Sequence, residues 1–204
     1  SLRFEAGFAG NIGGMNTKDD PDAFTGQFEK ERDNAFRANT SLNWMLNRSW
    51  ITSLKFDASV NFNDNLYRFH KYESYASNQP AVHAEIPGYF LADQLPLTYF
   101  SDQITDSKEL DFAASLKYNW NKRWNDWKSL LKAGVQWKAN GNVGQGEYYE
   151  DPALAANGYR PRPYTDYPFM HNLSVYAEEQ LTIPIATTKL EVMAGLRLEN
   201  VFIK

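Results

Sequence analysis

The 204-residue chain has no cysteine, which removes disulfide-stapled scaffolds and thiolate metal sites together. It also lacks any apolar run near the roughly 18 residues of a helical membrane span. With a mean hydropathy of −0.59, helical transmembrane segments are excluded. A membrane β-barrel is not, because strands of alternating polarity average to a mildly polar sequence. An excess of basic charge is missing as well: 21 Lys and Arg stand against 25 Asp and Glu, and the net charge is −4. No basic field exists for nucleic acid, so no such partner is expected. The opening SLRFEAGFAG has neither a basic n-region nor an apolar h-region. A cytoplasmic chain, or one whose true N-terminus lies upstream, is expected from that.

Chemistry-bearing motifs are equally scarce. The three histidines, His70, His83 and His171, show neither His-Glu-x-x-His nor any compact ligand spacing. They are expected to be solvated loop residues. No Gly-x-Ser-x-Gly elbow frames a nucleophile. Asp19, Asp20 and Asp22 supply hard oxygens without the full calcium-loop spacing, so a solvated acidic loop is expected. Gly141, Gly144 and Gly146 precede no helix that could hold phosphate, and they read as a flexible loop. No catalytic residue, metal site or cofactor is expected.

What the chain does have is a period of two. In the C-terminal hairpin, His171 to Glu199, Leu173, Val175 and Ala177 share one face with Leu190, Val192, Ala194, Leu196 and Leu198. Asn172, Ser174, Tyr176, Glu178, Glu191, Arg197 and Glu199 take the other. A connection around residues 185–189 predicts antiparallel neighbours. The same grammar predicts strands over residues 2–12, 34–46, 51–63, 110–120 and 129–139. Short turns at 47–49 and 121–127 alternate with longer connections at 13–33, 64–109 and 140–170. Seven strands linked alternately by short turns and long loops predict an all-β, antiparallel up-and-down transmembrane β-barrel segment, with short periplasmic turns and long external loops. A soluble β-sandwich or lipocalin-like barrel would show the same alternation.

Tryptophan placement favours the membrane. Trp44, Trp50, Trp120, Trp124 and Trp127 gather beside two short turns, where an interfacial girdle would lie, and Trp137 sits at the opposite strand end. Charges cluster on the polar face, with Arg37, Lys55, Asp57, Lys117, Lys132 and Arg197 at mid-strand, whereas the apolar face carries only Glu179. Arg37, Lys55, Asp57, Lys117 and Arg197 are therefore the expected lumen- and plug-facing residues. A membrane barrel must close, and seven strands is an odd number, so the chain reads as a fragment.

The hairpin also carries a family resemblance. Ser174-Val175-Tyr176-Ala177-Glu178-Glu179-Gln180-Leu181, followed by Leu190-Glu191-Val192-Met193-Ala194-Gly195-Leu196-Arg197-Leu198-Glu199, resembles a recurrent hairpin of TonB-dependent outer-membrane receptors, particularly the Bacteroidetes-type receptors that take up glycans and other nutrients. The resemblance covers residues 1–204 as partial barrel, about a third of a family barrel of about 22 strands. No counterpart of the family's plug domain or TonB-contact motif is visible. It implies an outer-membrane location, contact with outer-membrane lipid and uptake of a nutrient ligand such as a glycan or metal chelate. It further implies coupling to TonB through the N-terminal region of a parent protein, and it leaves room for a surface lipoprotein partner.

Aromatic residues crowd two of the long connections: Tyr67, Phe69, Tyr72, Tyr75, Tyr89, Phe90, Tyr99 and Phe100 in one, and Tyr148, Tyr149, Tyr159, Tyr164 and Tyr167 in the other. A tyrosine offers an apolar face for stacking and a hydroxyl for hydrogen bonding. The ligand-binding candidates are Tyr72, Tyr75, Tyr89, Tyr148, Tyr149, Tyr159 and Tyr164, although loops packing on one another would need the same chemistry. Two other classes are a soluble carbohydrate-binding β-domain and a passive porin-like channel.

Overall fold

A computed structural model describes residues 1–16, 26–77, 95–155 and 161–204. Asp19, Asp20, Asp22, His83, Tyr89, Phe90 and Tyr159 lie outside the described residues. The chain forms β1 (Leu2–Asn16), β2 (Phe28–Arg48), β3 (Ile51–Ser74), β4 (Thr98–Trp124), β5 (Trp127–Asn142), β6 (Gly146–Tyr149), β7 (Met170–Ile185) and β8 (Thr188–Ile203). These make one antiparallel sheet in the order β1-β2-β3-β4-β5-β7-β8, with β6 also on β4. Apart from the short β6, which lies on β4, each strand is followed along the sheet by the next in sequence, which is up-and-down topology.

The register brings the apolar positions together. Phe4 pairs with Leu42, Leu42 with Phe56, Phe56 with Leu116, Leu116 with Val135, Val135 with Val175, and Val175 with Leu198. One apolar row thus crosses all seven sheet positions. A one-residue slip anywhere would turn a whole strand inside out, so the two-residue period and the register enforce each other. No second layer among the described residues covers this row. Phe4, Phe56, Leu116, Val135, Val175 and Leu198 are all exposed, and among the described residues the buried apolar side chains are Ile51, Leu95, Ala139 and Ala155. A soluble sandwich would have placed the row in a core; here only lipid can remove it from water.

Three two-residue turns close the hairpins at one end. Asn125 and Ala186 begin the second and third turns with φ of 51° and 52°, the left-handed region that tight hairpins need and that Asn tolerates better than Ala; before the first turn, Asn47 takes φ of 49° inside β2, at the register shift between Met45 and Arg48. Trp44, Trp50, Trp124 and Trp127 are exposed around the first two turns. Trp120 donates its indole N–H to the Ser49 carbonyl at 2.8 Å. At the other edge of the apolar band, Phe8, Phe36 and Phe62 stack in sequence, and so do Phe112, Trp137, His171 and Phe202, with centroids 5.1–6.5 Å apart. The two aromatic belts bracket the apolar rows.

Several expectations need correction. The strands are longer than the alternation indicated: β3 runs to Ser74 and β4 starts at Thr98, so much of the connection expected over residues 64–109 is strand. Likewise β2 begins at Phe28 and β1 reaches Asn16. The physical reason is that beyond the upper belt both faces of the sheet are wet. Asp64, Leu66, Arg68 and His70 alternate with Asn65, Tyr67, Phe69 and Lys71, and no apolar period survives to be read.

The expected flexible glycine run is ordered. Asn142 pairs with Glu109 and Gly146 with Asp106, so the three residues Val143–Gln145 oppose only Ser107 and Lys108: a β-bulge that lets β6 continue β5 along β4. A Cβ on Gly144 would lie 2.2 Å from the Asp106 carbonyl oxygen, and Gly146 has φ of +80°. The Asn142 Oδ1 accepts the Lys108 and Gly144 amides, both at 2.9 Å. The described residues hold eight strands where seven were expected, because of this bulge. Two of the three histidines are also not solvated loop residues: His70 lies on β3 and His171 on β7, each stacked between aromatic rings.

Candidate functional site

Within the apolar band the opposite face is polar and highly ordered. One row carries Arg3, Asn43, Lys55 and Lys117, and continues through Gly134 and Tyr176 to Arg197. The next carries Glu5, Ser41, Asp57, Ser115, Gln136, Ser174 and Glu199. A largely basic row therefore faces a row with carboxylates. Asp57 takes Lys55 at 3.0 Å, Lys117 at 3.3 Å and the Ser41 hydroxyl at 2.8 Å. It thus offsets the repulsion between two lysines that are direct cross-strand partners. Of the expected lumen residues, Lys55, Asp57 and Lys117 form this one triad. Arg37 lies farther up β2, donating to Asn61 at 2.8 Å, and Arg197 is on β8 with Glu199 at 3.7 Å. Lys132 adds a pair with Glu178 at 3.3 Å. All are partly exposed, so these contacts order the wall more than they stabilise it.

Beside these rows the polar face holds a concavity of about 350 Å³, lined among others by Ser59, Asn61, Asp111, Lys138, Asn140 and Asn172. Near it Tyr176 lays its ring over Gly134, where an added Cβ would meet the ring at 2.7 Å. The glycine is the space the tyrosine fills.

Past the upper belt the same face becomes aromatic and acidic. Tyr67 pairs with Glu31 and Thr105, Phe69 with Glu29 and Gln103, Gln103 with Tyr149, and Glu73 with Tyr99. Tyr75 follows β3 and stacks on Tyr99 with centroids 6.1 Å apart. Lys71 meets Glu73 at 2.7 Å, and the Tyr75 hydroxyl donates to Glu73 at 3.3 Å. Burial, then the hydrogen bond with Tyr75, pushes the Tyr99 phenol well above its ordinary value, so it stays a neutral donor. The expected ligand tyrosines are split by the fold. Tyr75 and Tyr149 belong to this wall, whereas Tyr72 and Tyr148 occupy register positions on the opposite face. Tyr164 lies in a short 3-10 turn, Tyr164–Asp166.

On that opposite face the structure assembles a cluster that sequence reasoning missed. His70 is sandwiched between Phe28, centroids 4.8 Å apart, and Phe100, at 4.6 Å. Its Nδ1 lies 2.9 Å from Asp102 Oδ1, which also accepts from Arg68 Nε at 3.1 Å, while Arg68 reaches Glu150. Burial opposes ionisation of Asp102, but the hydrogen bonds from Arg68 and His70 outweigh it and hold the carboxyl below the usual range. The cluster draws on segments far apart in sequence. Only the two-residue spacings of Arg68 with His70 and of Phe100 with Asp102, each on one strand face, could have hinted at it.

An extended single-layer sheet, apolar and belted on one face and hydrated and charged on the other, defines the wall of a transmembrane β-barrel. No helix among the described residues is long and apolar enough to cross a membrane. Residues 2–202 match the family model described as TonB dependent receptor-like, beta-barrel, and the chain belongs to that family. Barrels of this family lie in the outer membrane, and its members are receptors for transport that engage TonB and a ligand, not enzymes. Comparisons with curated proteins and with solved structures found no match.

Proposed function

We propose that the chain is part of an active-transport receptor that captures a nutrient ligand, a glycan, metal chelate or similar, at its external mouth and imports it with TonB-coupled energy. Residues 1–204 supply barrel wall, and the parent protein supplies a plug and the segment that contacts TonB. The observation that carries the reading is the aromatic wall above the lipid band, where Tyr67, Phe69, Tyr75, Tyr99 and Tyr149 stand among carboxylates and amides on the polar face. Rings that stack on a ligand's apolar surfaces, with acceptors and donors beside them, suit sugars and chelate rings. Lower on that face Arg37, Lys55, Asp57, Lys117 and Arg197 seat the plug, because they line the space it fills.

The test is calorimetric binding of candidate glycans and chelates to the intact receptor and to its Tyr75→Ala, Tyr99→Ala and Tyr149→Ala variants. Each lost stacking contact is expected to cost on the order of 1 kcal/mol, a several-fold loss of affinity, with barrel assembly unchanged. Unchanged affinity in all three would move capture to the plug or to other strands.

A further inference from the structure

The lipid-facing side of the sheet is not uniformly apolar at its turn end. On β4 three successive positions of that face are Trp120, Lys122 and Trp124. The two indoles meet edge to face with centroids 5.6 Å apart, and the Lys122 ammonium sits 5.9 Å from one ring and 5.1 Å from the other. The cation is held by aromatic faces, and among the described residues no carboxylate lies in salt-bridge range of it.

Directly across from Lys122 is Ser129 of β5, which is almost fully buried. Its hydroxyl donates to Glu179 of β7, the one acidic side chain on the apolar face of the strands below the upper belt. Glu179 shares a row with Trp120, through Leu131. It therefore lies at the depth of the lower belt, and the serine draws its carboxylate toward the lysine's cross-strand partner. Two interstrand spacings and a two-residue offset separate Lys122 and Glu179, about 12 Å between Cα positions. Their long side chains can converge on one small group lying over β5. At the headgroup level of a bilayer, a lone cation and a lone anion on a lipid-facing surface complement a zwitterion.

We propose that Lys122, Trp120, Trp124 and Glu179 form a binding site for the headgroup of an aminophospholipid of the phosphoethanolamine class in the leaflet that the short turns reach. The phosphate lies against the Lys122 ammonium, framed by the two indoles. The primary ammonium, a hydrogen-bond donor, is taken by the Glu179 carboxylate that Ser129 orients. The acyl chains run up the apolar face past Leu131 and over Ala133 and Ala177, where these two small side chains leave a shallow groove between Val135, Val175 and Tyr118. The site is separate from ligand capture and plug seating, which use the other face and the other end.

The experiment is native mass spectrometry of the full-length receptor in detergent, titrated with short-chain phosphatidylethanolamine, phosphatidylcholine or phosphatidylglycerol. Folding of every variant is checked by heat-modifiable electrophoretic mobility. The wild type is expected to retain phosphatidylethanolamine over both other lipids. Glu179→Gln should abolish its preference over phosphatidylcholine, and Lys122→Met should weaken retention of all three several-fold. A milder Lys122→Gln serves where the Met variant fails to fold. Equal retention of phosphatidylethanolamine by wild type and the Lys122→Gln, Glu179→Gln double variant would overturn the site. Retention of phosphatidylglycerol as strong as that of phosphatidylethanolamine in the wild type would overturn the zwitterion assignment.

Discussion

Arginine placed on the two faces of the same strands separates lipid from lumen. Phe56 lies six residues from Trp50 in the turn and six from Phe62 in the upper belt. At about 3.4 Å per residue and a strand tilt of about 40°, it stands about 16 Å from either, near the midplane of the bilayer. Leu116 and Val135 share its row, and the three side chains are 38%, 43% and 42% exposed, with no layer of the described residues over them. Phe56→Arg, Leu116→Arg or Val135→Arg in the intact receptor should each cost about 2–4 kcal/mol. That is about 30-fold to 1,000-fold in the folding equilibrium. Ser59→Arg and Ser115→Arg, one residue away from apolar positions but on the hydrated face, should be far milder. The assay is reversible unfolding from lipid vesicles, comparing the two sets at matched lipid composition. Equal losses on both faces would refute the assignment of the exposed apolar row to lipid.

Three further outcomes follow from particular contacts. Gly134→Val forces a side chain into the space of the Tyr176 ring and should destabilise the barrel by about 1–3 kcal/mol in the same assay, with the loss partly relieved by Tyr176→Ala. Gly144→Ala collides with the Asp106 carbonyl, so it should release β6 from β4 and expose residues 143–150 to limited proteolysis while the strands below remain protected. The folded-state pKa of Asp102 lies below its unfolded value of about 3.8. Its pairing with Arg68 and His70 is then fully stabilising above that value and is lost as pH falls through the folded pKa. The protection of amides against hydrogen exchange at the upper ends of β3 and β4, relative to the intrinsic rate at each pH, should fall on acidification below about pH 4, and Asp102→Asn should lower it already at neutral pH and flatten that dependence.

Where lipid imposes a period, the sequence was a sufficient guide. Leu54, Phe56, Ala58, Val60 and Phe62 announce their face because every second residue must be apolar, and the belts mark where that demand starts and stops. The strand ends at the turns were underestimated by a few residues, since Lys122 and Trp124 continue β4 through a polar stretch that reads as loop. Above Phe62 the error was larger. Water on both faces removes the apolar period, and only aromatic β-propensity at Tyr67, Phe69, Tyr72 and Tyr75 remains as a weak sign of strand. The placement of tyrosines suffered accordingly, because face is a property of a strand and cannot be assigned to a residue taken for loop.

By itself, then, the sequence determined which residues seek lipid and which seek water, the antiparallel pairing of neighbours across short turns, and the family hairpin around Tyr176 and Arg197. Tertiary structure decided what depends on cross-strand register. The triad of Lys55, Asp57 and Lys117 joins residues up to 62 positions apart in sequence, and Arg68 meets Glu150 across 82. The bulge at Val143–Gln145 exists only because β4 lies alongside, supplying the Asp106 carboxylate, which accepts the Gln145 amide at 3.1 Å. A period of two fixes the face on which each side chain stands. Its neighbours are fixed only once the strands have paired, because contacts across a sheet come from register between segments with no common local pattern.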